Sequence, residues 1–201
     1  MNYDIYLVGV GGQGVLTIGK LIAEAAAGQG VPANFFPTKG MAQRGGFVKA
    51  QLRLGREVVG PAIPRAGADL VIAMERSEAL KAVPYVRPGG EFLLYGHVWA
   101  PTAVMLRRAD YPTLEAVQAE IRKAGAEVRY LAAELPQYEG APVSPNLYVL
   151  GAAVGHTRLG SLFEAKTMAE MVAERWPRSR ERNLAAFHAG LAASVREGVP
   201  A

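Results

Sequence analysis

The 201 residues predict a single α/β domain of three layers, with helices on both faces of a mixed, mostly parallel sheet, and three observations carry that prediction. Apolar runs of strand length alternate with amphipathic helical stretches along the chain. The first such pair is joined by the glycine-rich run Gly9-Val10-Gly11-Gly12-Gln13-Gly14. Residues 47–54 alternate apolar and polar, as a strand with one wetted face does in an antiparallel position.

Taken in order, residues 5–8 form a buried strand, the glycine run a tight turn, and residues 15–27 a helix with Leu16, Ile18, Leu21, Ile22 and Ala25 on its apolar face. Residues 33–38 and 47–54 are strands on either side of a polar, glycine-rich loop. Residues 69–74, a short helix over 75–83, a turn at Pro88-Gly89-Gly90 and a strand over 91–95 make a parallel crossover unit. A helix follows over 113–124, with Thr113 as N-cap and Gly125 as its stop, then a strand over 127–131. Ser144 and Pro145 open another helix, on which Gly151 and Gly155, four apart, leave a groove for a closely packed neighbour. Helices over 163–176 and 179–195 complete the chain, with Arg175 to Arg182 as a solvated link between them. No repeat, linker or second domain is visible, so residues 1–201 read as one unit.

Half of the residues are hydrophobic and 20% are charged, a balance that supports a folded core. The net charge of +4 is spread along the chain and not gathered with aromatics, which argues against nucleic acid as partner. No stretch reaches the roughly 18 apolar residues of a membrane span, and the N-terminus lacks the basic lead of a signal peptide, so a cytoplasmic protein without membrane contact is expected. The absence of cysteine excludes disulfides, a thiol nucleophile and the usual ligands of an iron–sulfur cluster. The three histidines, His97, His156 and His188, have no metal-ligand spacing, so no metal is expected on this chain. His97 follows a strand end, where α/β folds bind ligands, yet it reads as a packing or capping residue, and the other two as structural.

Chemistry concentrates in the glycine run. Glycine lets the turn tighten and lets a ligand approach the unpaired N–H groups at the start of the helix, where the helix dipole favours phosphate or pyrophosphate. Gly9, Gly11, Gly12, Gln13 and Gly14 are therefore the candidate cofactor-binding residues, and the fold they predict is Rossmann-like. Two departures weaken the usual dinucleotide reading. The segment Ala33-Asn34-Phe35-Phe36-Pro37-Thr38-Lys39 ends in a cation where an acidic residue would hold a ribose hydroxyl, and no Gly-Lys-Ser/Thr follows the turn. A free-standing NAD(P)-binding oxidoreductase, with Lys39 or Arg44 meeting a 2′-phosphate, stays open as an alternative, as does a nucleotide-binding module.

The loop Thr38-Lys39-Gly40-Met41-Ala42-Gln43-Arg44-Gly45-Gly46 combines glycines with an adaptable Met and a carboxylate- or phosphate-seeking Arg. The two glycine-rich motifs together closely resemble the gamma-type subunits of 2-oxoacid:ferredoxin oxidoreductases. Within that family the resemblance is nearest to the indolepyruvate branch, in which a small beta subunit works beside a large thiamine-diphosphate subunit. Ser144-Pro145-Asn146 and Leu150-Gly151 extend the likeness over most of the chain.

The resemblance implies a complex that converts a 2-oxoacid, such as an aryl pyruvate, and coenzyme A into an acyl-CoA and carbon dioxide, with electrons passing to ferredoxin. Thiamine diphosphate, magnesium and iron–sulfur clusters would sit on the obligate large partner, with no catalytic residue of its own on this chain. The backbone from Gly9 to Gly14 would meet an anion such as CoA phosphate, and Gln13 a ligand or the neighbouring subunit. Thr38, Met41, Gln43, Arg44, Gly45, Gly46 and Asn146 would face the partner's active site.

Overall fold

A computed structural model describes residues 2–39, 45–100 and 102–197. β1 (Tyr3–Val10) is buried at every position, because helices cover both of its faces. α1 (Val15–Gly28) packs Ile18, Leu21, Ile22 and Ala25 into the core, on the face that its periodicity predicts. β2 (Ala33–Lys39), β3 (Phe47–Leu54), β4 (Ala68–Ala73), α2 (Arg76–Ala82), β5 (Val86–Tyr95), α3 (Thr102–Met105), α4 (Leu114–Lys123) and β6 (Glu127–Leu131) follow. A small hairpin, β7 (Gln137–Tyr138) and β8 (Ala141–Pro142), then leads to α5 (Pro145–His156), α6 (Leu159–Leu162), α7 (Ala165–Arg175), α8 (Arg180–Leu191) and β9 (Val195–Glu197).

The main sheet has seven strands in the order β2-β3-β1-β4-β5-β6-β9. β1, β4, β5 and β6 pair in parallel, while β3 runs antiparallel to both of its neighbours and β9 antiparallel to β6. One face is covered by α1, α5, α7 and α8, the other by α2 and α4, giving the three expected layers. From β1 the chain leaves through α1 toward one edge, and from β4 through α2 toward the other. The sheet therefore has its topological switch point between β1 and β4, where open α/β sheets leave a crevice outside the strand ends.

β3 alternates as predicted, and its wetted face is partly covered, since Gln51 is buried and accepts the Ile63 N–H at 2.6 Å. Thr113 caps α4 by accepting the Ala116 N–H at 3.1 Å, and Gly125 follows with φ of 79°. Arg175 closes α7 and Arg180 opens α8, so the basic run is the link foreseen between them.

Four local expectations are corrected. Pro88-Gly89-Gly90 lies inside β5, because pairing with β4 already begins at Val86 and shifts register before Glu91, which makes the glycines a bulge. Ser144 stands at the N-cap of α5 without a side-chain cap bond. The stretch 163–176 divides, Phe163 sealing the end of α6 before α7 begins at Ala165. The last helix stops at Leu191, since residues 195–197 gain more by adding a strand to the open edge of β6.

The groove on α5 is filled by α8. A Cβ on Gly151 would collide with the Phe187 carbonyl oxygen, one on Gly190 with the Tyr148 carbonyl oxygen, and one on Gly155 would come within 2.8 Å of the Leu191 carbonyl oxygen. The two helices thus meet backbone to backbone, and α5 is held with its first turn against the glycine turn of β1.

Candidate functional site

The glycine turn lies at the switch point, and the structure gathers a mouth around it. Gly14 takes a left-handed φ of 80° to start α1, and a Cβ there would lie 2.6 Å from Asn146 Nδ2. Only glycine fits between α1 and the first turn of α5, so Gly14 and Asn146 are brought into direct contact. Gly9 is as constrained: its Cβ would lie 2.7 Å from Gln13 Oε1 and 2.9 Å from Met74 Cβ. Gly12, by contrast, has φ of 102° with open space around it. Among the described residues the N–H groups of Gly12, Gly14, Val15 and Leu16 have no acceptor, the set of donors an anion would use.

The second glycine-rich loop returns to the same place. Gly11 donates to the Gly46 carbonyl at 2.8 Å and Gly45 donates to the Gly11 carbonyl at 3.4 Å. Gly45, with φ of 73°, lies so close to Trp99 that a Cβ would be 3.3 Å from the indole Nε1. Thr38 is exposed at the carboxyl end of β2, opposite Lys49 of β3. Met41, Gln43 and Arg44 lie outside the described residues.

Gln13 is held within the chain. Its Oε1 accepts the Val10 N–H at 2.9 Å, while Nε2 donates to the Met74 carbonyl at 2.9 Å and lies 3.1 Å from His97 Nδ1. The side chain thus bridges the ends of β1 and β4 and reaches the segment after β5. It spans the ends of the two strands that flank the switch point. The insertion of β3 also moves the end of β2 two strands, about 10 Å, from β1, away from the place of a ribose-binding residue.

Sequence reasoning passed over the other wall of the mouth. Glu75, fully buried at the start of α2, accepts from Glu78 N at 2.8 Å, Ser77 Oγ at 2.7 Å, Trp99 N at 2.9 Å and the Tyr111 hydroxyl. His97 stands between the rings of Tyr95 and Trp99, its carbonyl accepting the Arg76 N–H at 3.0 Å. The Arg76 guanidinium lies 4.8 Å above the Tyr111 ring. His97 packs against Tyr95 and Trp99, the role its sequence position suggested, and also joins the mouth through Gln13. The links of Glu75 to Trp99 and Tyr111 and of Gln13 to His97 span 24, 36 and 84 residues, so no spacing pattern announces them. Among the described residues no group of three histidine, aspartate or glutamate side chains is placed to hold a metal ion.

Burial pushes the Tyr111 phenol up to about 12, with the hydrogen bond and charge of Glu75 adding to it. Burial likewise raises Tyr95 to about 12, with Tyr148 and Glu134 contributing, while its hydroxyl donates to the Ala133 carbonyl. Between pH 10 and 12 the folded chain keeps protons that the unfolded chain has released, so this stabilisation is present below pH 10 and lost as pH rises toward 12. Urea midpoints measured across that range should fall, and the fall should flatten in Tyr111→Phe and Tyr95→Phe.

A mixed α/β sheet with an antiparallel strand inserted beside β1, and a glycine turn folded back against a second glycine loop, defines a Rossmann-like domain distinct from the usual nucleotide-binding one. The chain belongs to the pyruvate ferredoxin/flavodoxin oxidoreductase family, whose sequence profile matches residues 4–193. It is 35% identical over 197 residues to the indolepyruvate oxidoreductase subunit IorB of Methanothermobacter thermautotrophicus, covering 97% of this chain and 99% of that one. Its fold is that of the pyruvate oxidoreductase subunit PORC of Thermotoga maritima, with a TM-score of 0.71 at 20% identity over 97% of each chain. The 2-oxoglutarate:ferredoxin oxidoreductase of Magnetococcus marinus, whose structure holds 2-oxoglutarate, coenzyme A and succinyl-CoA, contains the fold as 30% of a longer chain, with a TM-score of 0.65 at 19% identity over 95% of this one. Among the described residues no helix is long and apolar enough to cross a membrane.

Proposed function

We propose that this chain is the small subunit of a 2-oxoacid:ferredoxin oxidoreductase that acts on indolepyruvate or a related aryl pyruvate. The observation that carries the reading is the near end-to-end match, 97% and 99% of the two chains, to an indolepyruvate oxidoreductase subunit of the same size. The chain supplies a mouth of backbone donors and aromatic side chains. The thiamine diphosphate, magnesium and iron–sulfur chemistry belongs to a larger partner, and electrons leave to ferredoxin. Gly9 to Gly14, Thr38, Gly45, Gly46 and Asn146, with Met41, Gln43 and Arg44 from the intervening loop, face that partner. Coenzyme A phosphates meet the N–H groups of Gly12, Gly14, Val15 and Leu16.

Two features support an obligate partner. The same fold forms 30% of a longer chain in the Magnetococcus enzyme. Here Val98, Trp99, Met105 and Leu106 are 46%, 48%, 67% and 55% exposed on the segment that follows β5, apolar surface that a partner would cover, with Trp99 beside Gly45. An anaerobic assay of the assembled complex with indolepyruvate, coenzyme A and ferredoxin tests the reading. Turnover should require both subunits and favour indolepyruvate over pyruvate, and ferredoxin reduction by this chain alone would overturn it.

A further inference from the structure

We propose that Gln13 is a positioning residue that fixes the tautomer of His97, so that the imidazole presents Nε2–H as a hydrogen-bond donor to an oxygen of the substrate held in the mouth. The amide orientation of Gln13 follows from its partners. A backbone N–H only donates, so the atom facing Val10 N must be Oε1, and a carbonyl only accepts, so the atom facing the Met74 carbonyl must be the NH2 group. That NH2 group also faces His97 Nδ1 at 3.1 Å, and an amide nitrogen offers no lone pair. His97 Nδ1 is therefore the acceptor, and the ring proton resides on Nε2.

Three backbone and side-chain contacts thus pass one piece of information, the direction of a hydrogen bond, from the glycine turn to the imidazole. The ring is held in place between Tyr95 and Trp99, at centroid distances of 6.0 and 6.5 Å. His97 is half-buried, and its Nε2 has no hydrogen-bond partner among the described residues. The unpaired backbone donors of the glycine turn flank Gln13 along the chain. Together they match a ligand rich in oxygen acceptors, either a carboxylate from the 2-oxoacid or a phosphate from coenzyme A. The ligand part of this inference rests on the subunit reading above, whereas the tautomer part does not.

The test begins with the full chain labelled with 15N-histidine, whose two-bond nitrogen–proton correlations distinguish the tautomers, with His97→Asn assigning the signal. The wild type should show the Nε2–H form. Gln13→Glu puts a carboxylate oxygen opposite Nδ1 and should move the ring to a form protonated at Nδ1. If that variant does not fold, Gln13→Met removes the amide at similar volume and should give a mixture of tautomers. A wild-type ring protonated at Nδ1, or a variant that keeps the pure Nε2–H form, would overturn the proposal.

In the assembled complex Gln13→Glu should raise one KM about tenfold, the loss of one good hydrogen bond. A change confined to coenzyme A identifies the phosphate, and a change confined to the 2-oxoacid identifies the carboxylate. Unchanged KM and kcat for both would overturn the donor role. A wild-type complex without turnover would instead count against the subunit reading and leave the nitrogen spectra standing.

Discussion

Gly151→Ala is expected to lower the thermal midpoint by about 6–12 °C, from a loss of about 3 kcal/mol in a domain of this size. The added methyl group would enter the space of the Phe187 carbonyl oxygen, and carbonyls in the middle of a helix cannot rotate away. α5 and α8 would have to separate, opening a seam in a core that includes Leu147, Leu150, Ala186 and Phe187. Gly190→Ala should behave alike, because its methyl group meets the Tyr148 carbonyl oxygen from the opposite helix. Gly28→Ala, at the end of α1 with open space around it, should be neutral or slightly stabilising. Differential scanning calorimetry of the three variants separates close packing from a general effect of glycine replacement. The consequence also reaches the site, since α5 presses Asn146 against Gly14. Equal midpoints for Gly151→Ala and Gly28→Ala would show that the backbones do not meet there.

Glu75→Ala should cost 3 kcal/mol or more. It removes the shared acceptor of four donors, Ser77 Oγ, Glu78 N, Trp99 N and the Tyr111 hydroxyl, inside a site with no exposure. Leaving one buried donor unsatisfied costs about 1–3 kcal/mol, and water entering the cavity recovers part of the sum. Glu75→Gln keeps one oxygen but turns an NH2 group toward N–H and O–H donors, so it should lie between the alanine variant and the wild type. Urea denaturation gives these differences. The emission of Trp99, read in a Trp176→Phe background, should shift as the segment after β5 loosens. A loss under about 1 kcal/mol for Glu75→Ala would mean that the carboxylate is not the anchor of this wall.

How much of this was legible in the sequence follows from the range of each interaction. The β1–turn–α1 unit could be read because strand, glycine positions and helix face all lie within 26 consecutive residues, Tyr3 to Gly28. β3 was legible at both ends because one of its faces is wet and its alternation survives. β9 was not, since residues 195–197 form a strand only through pairing with β6, some 66 residues earlier. The contact of Gly14 with Asn146 and the return of Gly45 and Gly46 to Gly11 were approached through resemblance, and the structure supplies the geometry that joins them. Gln13 and His97 were each noticed alone. Their 84-residue separation hid the hydrogen bond that makes them one unit.

The central claim is that this mouth is completed by another subunit, and anaerobic purification of the tagged chain from its native host, with mass spectrometry and iron and thiamine analysis, tests it most directly. The account predicts a large companion carrying thiamine diphosphate and iron, retained through washing. A chain that emerges alone, free of thiamine and iron and binding NADPH, would contradict it.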